Sequence, residues 1–181
     1  MTVLCTISLF AQNYSKGDSQ INLGIGFSGY YGTSSIYSTK IPPIELQYEN
    51  FISDKISIGG FVGYSSSTYE INYASYPGNY KSTGSTNYLM FGGMGNYHFI
   101  DQDKFNAYAG AKLGYINVSS NDDSTYANEY FSQDYSGSLD TSGLLFGAHL
   151  GGRYFVSENI ALNAELGYGI ALIKVGVSFN F

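Results

Sequence analysis

Charge is scarce in this chain. Asp, Glu, Lys and Arg make up 12 % of its 181 residues, about half the usual ~25 % share. Disorder needs many charges and few aromatics, and aromatics at 17 % exclude it. Eight basic residues stand against 14 acidic ones, a net charge of −6, so the basic footprint of a nucleic-acid partner is missing. Cys5 is the only cysteine, so the chain can form no internal disulfide and no cysteine-based metal site. No membrane-spanning helix is expected. An uncharged stretch of sufficient nominal length, residues 82–100, is broken by Gly84, Gly92, Gly93 and Gly95 and carries Asn87, Asn96 and His98. Its apolar residues recur with period two, which argues for a strand.

What fills the space left by charge is 23 glycines and 19 tyrosines, with many serines and asparagines and an ordinary 44 % of apolar residues. This suits short strands and turns around a polar but mostly uncharged inner surface. At this length one domain is expected. Residues 1–12 form a short apolar run ending on a small residue, Ala11, before a polar stretch. They read as the core and cleavage site of a signal peptide spanning residues 1–11, with the mature domain over residues 12–181. The positive start of such a signal is missing, so either the true start lies upstream or the signal is atypical. An N-terminal strand is the alternative. A lipoprotein site at Cys5 is disfavoured, because Thr2-Val3-Leu4 lacks the expected small residue.

Eight alternating runs follow. In residues 20–30, Ile21, Leu23, Ile25 and Phe27 share one face, and in residues 41–51 Ile44, Leu46 and Tyr48 oppose Glu45, Gln47 and Glu49. Residues 55–65 carry Ile56, Ile58, Val62 and Tyr64; residues 87–99 carry Leu89, Phe91, Tyr97 and Phe99. Residues 105–118 carry Ala107, Ala109, Ala111, Leu113 and Tyr115, and residues 142–155 carry Phe146, Ala148, Leu150 and Tyr154. Residues 160–169 carry Leu162, Ala164, Leu166 and Tyr168. In the terminal run, Val175, Val177, Phe179 and Phe181 oppose Lys174, Gly176, Ser178 and Asn180. Successive side chains of a strand point to opposite faces, so each run has one apolar face and one small, polar face.

The connections alternate in length. Ser53-Asp54, Asp101-Gln102-Asp103 and Ser157-Glu158-Asn159 are tight polar turns. Residues 32–40, 66–86 and 119–141 read as long loops, and the connection near Ile170-Ala171-Leu172 is short. Three hairpins repeat a tyrosine before the tight turn and a Gly-Tyr pair after it: Tyr48 with Gly63-Tyr64, Tyr97 with Gly114-Tyr115, and Tyr154 with Gly167-Tyr168. The second tyrosine lies about ten residues beyond the turn, the length a tilted strand needs to cross a bilayer (~9–11 residues). With Phe179 and Phe181, these tyrosines are expected in two interfacial belts.

No helix is available to cover eight apolar faces. In lipid a sheet cannot leave an edge, because unpaired amides cost several kcal/mol each. The expected fold is therefore an all-β, eight-stranded antiparallel up-and-down transmembrane β-barrel, whose interior is just filled by side chains. The inward charges Glu45, Glu49, Lys112, Arg153, Glu165 and Lys174 are expected to neutralise one another as structural ion pairs, with a functional cluster as the alternative.

Several motifs then carry a resemblance. Gly-Asn-Tyr-His-Phe at Gly95 to Phe99, Gly-Gly-Arg-Tyr-Phe at Gly151 to Phe155, Ala-Glu-Leu-Gly-Tyr-Gly at Ala164 to Gly169 and the terminal Phe-x-Phe resemble the "outer membrane protein beta-barrel" domain common in Bacteroidetes. The whole mature chain looks like the small OmpA/OmpX-like barrels. The resemblance implies a Gram-negative outer membrane, tight turns in the periplasm, long loops at the cell surface, and an aromatic-ended last strand read by the barrel-assembly machinery. The cell-wall-binding domain of full-length OmpA proteins has no counterpart before the chain ends, so cell-wall anchoring is not expected to carry over.

Three motifs invite chemistry. Gly24-Ile25-Gly26-Phe27-Ser28-Gly29 matches G-x-G-x-x-G, but a polar loop follows where a dinucleotide site needs a helix. His98 and His149, the only histidines, face inward, and no Ser or Asp partner stands at a recognisable spacing, so packed interior histidines are expected. Asn121-Asp122-Asp123-Ser124 with Glu129, Asp134 and Asp140 makes an acidic segment without the EF-hand spacing, read as a solvated loop. No cofactor is expected. The leading functional expectation is a non-enzymatic structural or surface-interaction role. Candidate contacts are Tyr73, Tyr76, Tyr80, Tyr126, Tyr130 and Tyr135, with Tyr69 and Phe131 beside them, since tyrosine gives contact area at low entropy cost. Lipopolysaccharide and an unidentified surface ligand are the expected partners, and a monomer is expected. A porin-like channel for small solutes, an outer-membrane lipid-modifying enzyme and a soluble lipocalin-type barrel are the alternatives.

Overall fold

The computed structural model describes residues 14–29, 37–75, 78–128, 130 and 132–181. The expected signal segment, residues 1–11, and Tyr76, Glu129 and Phe131 lie outside the described residues. Eight strands follow in order: β1 (Ser19–Gly29), β2 (Tyr37–Ser53), β3 (Ile56–Ser75), β4 (Gly78–Gln102), β5 (Phe105–Asn128), β6 (Ser132–Phe155), β7 (Ile160–Tyr168) and β8 (Ala171–Asn180). Each pairs antiparallel with the next, and β1 also pairs with β8 from Gln20↔Asn180 to Gly29↔Ala171, so the sheet closes into a barrel.

Strand count, order and closure agree with the sequence reading; strand length does not. The expected loops over residues 66–86 and 119–141 are largely paired strand. The β3–β4 ladder runs unbroken to Ser75↔Gly78 and the β5–β6 ladder to Ala127↔Ser132. Residues 37–40 likewise belong to β2. Above a membrane both faces of a sheet meet water, so polar side chains on both sides remove the apolar alternation without removing the hydrogen-bonded ladder. The expected acidic loop is thus the upper half of a hairpin.

The apolar faces point outward. Leu23, Leu46, Ile58, Phe91, Leu113, Leu150, Leu162 and Leu166 are all exposed on the barrel's outside. Ala107 departs from its expected lipid-facing position and is buried; there β4 shifts register between His98 and Ile100, which places Ile100 opposite it. The inner face runs the other way, with Glu45, Gln47, Glu49, Asn96, Arg153 and Ser178 fully enclosed. Gly92 and Gly114 stand opposite each other across β4 and β5, and a Cβ on either would collide with the facing backbone. Gly169, with φ +131°, makes the tight β7–β8 turn. Among the described residues no helix is long and apolar enough to cross a membrane; these strands carry the apolar surface instead.

Leu166 pairs with Leu150 and Ile173, which are also outward, and is 61 % exposed. Leu166→Arg is expected to cost ~2–4 kcal/mol by placing a guanidinium in lipid near the midplane. Asn163→Arg, on the inner face, acts only through overpacking. Urea titration in lipid checks the difference, and a harmless Leu166→Arg would reverse the facing.

Candidate functional site

The barrel interior is one polar network capped at each end by apolar side chains. The inward positions of β2, β5, β6, β7 and β8 bring the six interior charges into two groups. In the first, Lys112 donates to Glu45 Oε1 at 2.5 Å, Lys174 donates to Glu45 Oε2, and Lys174 lies 2.6 Å from Glu165 Oε2. Gln47 donates to both carboxylates, at 3.1 Å and 3.3 Å, and the Tyr108 hydroxyl donates to Glu165 at 2.8 Å. In the second, Arg153 donates to Glu49 while its guanidinium sits 4.1 Å over the Tyr108 ring. Asn22, Ser57 and Asn96 also donate to Glu49, at 2.7, 2.7 and 2.8 Å. Three acids and three bases thus balance.

Both ends of this network are closed. At the short-turn end Tyr14 stacks on Phe51 with ring centroids 4.0 Å apart, beside Phe155 and Ala161. The segment before β1 is held there by Gly17 donating to the Phe51 carbonyl at 2.8 Å and by Tyr14 N–H donating to Asp101 at 3.1 Å. Burial pushes the Tyr14 phenol up to about 12. Towards the long-hairpin end Phe61, Tyr88, Met90, Met94, Leu145 and Ile170 form a second apolar layer, with Ile116 and Val118 packed against it. Between the layers a cavity of about 20 Å³ lies beside Glu45, Lys112, His149, Glu165 and Lys174, room for roughly one water. These inward apolar residues are not among the expected interior positions. Their signal was present, since Phe51 shares the parity of Glu49, and Met90 and Met94 share that of Asn96.

No serine stands at a recognisable spacing from either histidine along the chain; the fold brings one to His98. Ser57 Oγ lies 3.0 Å from His98 Nε2, and His98 Nδ1 lies 2.9 Å from Asn106 Oδ1. The order resembles a nucleophile–base–orienter arrangement. Two features oppose that chemistry: Ser57 and Asn106 have no exposed surface, and the single Ser57 proton also has Glu49 Oε2 at 2.7 Å to bond. His149 Nε2 lies 2.9 Å from Asn96 Oδ1, deeper in the same network. Gly24 and Gly26 lie within β1, against Lys174 and Ala171.

The proposed interface aromatics Tyr48, Tyr64, Tyr97, Tyr115, Tyr154, Tyr168, Phe179 and Phe181 all stand on the barrel's outside, 38–67 % exposed. Tyr48 and Phe179 flank Ile21 in register, and Tyr64 donates to Asn87 at 3.1 Å.

Beyond the barrel rim, β3 to β6 continue as a one-sided wall, because β7 ends at Tyr168 opposite Ala148. Strand parity places Tyr69, Tyr73, Tyr80, Tyr126 and Tyr135 on the wall's inner face. Tyr73, Tyr80 and Tyr126 stand side by side across β3, β4 and β5. Tyr69 donates to Asp122, and Tyr80 to Ser124 at 3.1 Å. Tyr130 at the hairpin tip is 87 % exposed. The outer face holds a polar groove of about 400 Å³ near Ser38, Thr68, Glu70, Thr83, Asn121 and Asp123. Asp122 and Asp123 thus face opposite sides and Asp140 accepts from Ser119, so the acids are spread over two strands rather than gathered. Among the described residues no cluster of three or more His, Cys, Asp or Glu side chains could hold a metal.

A closed, eight-stranded sheet with an apolar exterior and a polar, capped interior defines a transmembrane β-barrel. The chain belongs to the family described as "Outer membrane protein beta-barrel domain", whose model matches residues 1–181, and is accordingly a protein of the bacterial outer membrane. It is similar in structure to the N-terminal barrel domain of OprF from Pseudomonas aeruginosa, with 17 % identity, a TM-score of 0.45, and 93 % of this chain and 100 % of that one covered. It is also similar to Ail, the attachment invasion locus protein of Yersinia pestis, with 13 % identity, a TM-score of 0.44, and 92 % and 99 % covered. OprG from Pseudomonas aeruginosa matches at 13 % identity and a TM-score of 0.45, covering 94 % and 99 %. No curated protein matches the chain in sequence.

Proposed function

We propose that this protein is a closed, non-enzymatic barrel that displays its long-hairpin wall outside the cell as an interaction surface. The observation that carries this reading is the contrast between the two halves of the long strands. Inside the rim the large inward side chains pair their charges or pack into two apolar layers that fill the lumen. Beyond it, the wall of β3 to β6 carries Tyr73, Tyr80 and Tyr135 exposed, on the face that continues the lumen side of the strands. Tyrosine supplies large, rigid contact area at low entropy cost.

The filled lumen supports this role over a solute channel, since eight strands leave no aqueous path. Burial of Ser57 and its bond to Glu49 support it over hydrolysis at His98. In this reading residues 1–11 direct export, the barrel-assembly machinery inserts the chain, the tight turns face the periplasm, and lipopolysaccharide surrounds the rim.

Chymotrypsin added to intact cells is expected to cut after Tyr130 and leave a membrane-embedded core, because exposed loop tips are nicked first while the paired ladder resists. Planar-bilayer recordings of the purified protein are expected to stay silent. Complete protection of Tyr130 on cells stripped of long lipopolysaccharide, or stable conductance steps, would overturn the reading.

A further inference from the structure

From the open side of the wall we infer that residues 132–142 of β6 form a docking edge for an extended polypeptide strand with one basic face and one apolar face. This deepens the surface-interaction reading above and rests on it. The edge follows from connectivity. β6 pairs with β5 along its whole length. On its other side β7 begins to pair only at Ala148↔Tyr168 and turns at once through Gly169 into β8. The turn lies against Gly147 and the Phe146 carbonyl, and no described residue pairs with residues 132–142 on that side. Such an edge presents a row of unpaired N–H and C=O groups, the template for strand addition.

Natural edges are usually blunted by lysine, proline or a bulge. This one contains neither residue, and its ladder to β5 shows no register shift. Residues 132–142 are exposed on both faces apart from chain pairing, so a strand added there meets no obstruction from the chain's own side chains.

The two faces state what the added strand must look like. The outer face carries Asp134 and Asp140 among Ser132, Ser136 and Ser138, leaving room beside each carboxylate. They stand six positions apart, ~20 Å along a strand. Directly opposed unlike charges stabilise adjacent strands, so the partner carries Lys or Arg on that face. Among the described residues of the wall Lys81 is the single base, and it already lies 3.2 Å from Glu70. The inner face carries Tyr135 and Leu139, 57 % and 67 % exposed, which asks for apolar or aromatic side chains at the alternate positions. A second copy of this chain fits less well: its own edge offers acids to acids.

The test uses the full chain refolded in detergent and a fluorescent synthetic peptide alternating lysine and valine. Saturable binding is expected, with slowed amide exchange confined to residues 132–142. The same peptide N-methylated at every second residue keeps its charge and loses donors along one edge, so it should bind at least about tenfold more weakly. An alternating glutamate–valine peptide should not bind. Asp134→Asn with Asp140→Asn should weaken the lysine peptide by about tenfold, the scale of two cross-strand charge pairs. Equal binding of the N-methylated peptide, no binding of the parent peptide, or edge protection arising from dimerisation without peptide would each overturn the inference. Such failure with Tyr130 still cut on intact cells removes the edge alone; protection of Tyr130 on stripped cells removes the surface reading, whatever the peptide does.

Discussion

Removal of residues 176–181 is expected to abolish the folded barrel. Those residues pair with both neighbours: Gly176, Val177, Ser178, Phe179 and Asn180 face β1 from Gly24 to Gln20. On the other side Gly176 to Phe179 face β7 from Asn163 to Ile160. Phe181 and Ser19 exchange both backbone hydrogen bonds at 2.9 and 3.0 Å. Without them two strand edges lie open inside lipid, where each unsatisfied amide or carbonyl costs several kcal/mol. Even a few such groups exceed the 5–15 kcal/mol that holds a typical domain together. Deleting Phe181 alone removes one exposed aromatic and its bonds to Ser19, and should slow or reduce insertion without preventing it. The readout is the heat-modifiable gel shift of a folded barrel, measured on membrane fractions. A normal shift for the longer deletion would mean that β8 does not close the sheet.

Glu49→Ala is expected to destabilise the barrel by about 3–5 kcal/mol, the cost of leaving a buried charge without its partner. Glu49 and Arg153 are each completely buried. The substitution strips the carboxylate from the guanidinium and also removes the shared acceptor of Asn22, Ser57 and Asn96. Stacking of Arg153 on Tyr108 remains, but a ring face does not replace a carboxylate in a dry interior. The double variant Glu49→Leu with Arg153→Met should recover most of the loss, because a well-packed apolar pair often matches or exceeds a buried ion pair. Urea unfolding in lipid vesicles, followed by tryptophan-free probes such as tyrosine fluorescence or the gel shift, gives both values. A single variant as stable as the parent would show that the pair carries no electrostatic burden.

The two substitutions sit on different interactions. Closure is a matter of backbone pairing, and the Glu49 network is a matter of side chains reaching across the lumen. Phe179 and Glu49 illustrate how differently the two could be read from residues alone. Phe179 follows from local alternation: Val175 and Val177 share its parity, and Val175 its outward exposure. Glu49 is readable as inward on the same ground, since it alternates with Tyr48. That Arg153 is its partner, rather than Lys112 or Lys174, depends on a contact across 104 positions, and nothing in period-two patterning carries that distance.

The upper hairpins show the opposite limit. Residues 119–128 and 132–141 have no apolar alternation, because both faces meet water, yet they pair throughout. Hydrophobic periodicity reports burial on one side, not hydrogen bonding, so a doubly solvated strand looks like a loop. Ser57, His98 and Asn106 were unconnected in the chain for a related reason: they converge only because β3, β4 and β5 lie side by side. The amino-acid order by itself therefore determined the number of strands, their inward and outward faces and the need to close in lipid, all consequences of local period and of the cost of an unpaired amide. Only the tertiary structure decided which charges neutralise one another, how both ends of the lumen are capped, how far the wall rises above the rim and that β7 stops short of the upper half of β6. Each of those depends on register between strands, which is set by the packing of the whole ring and not by any one segment.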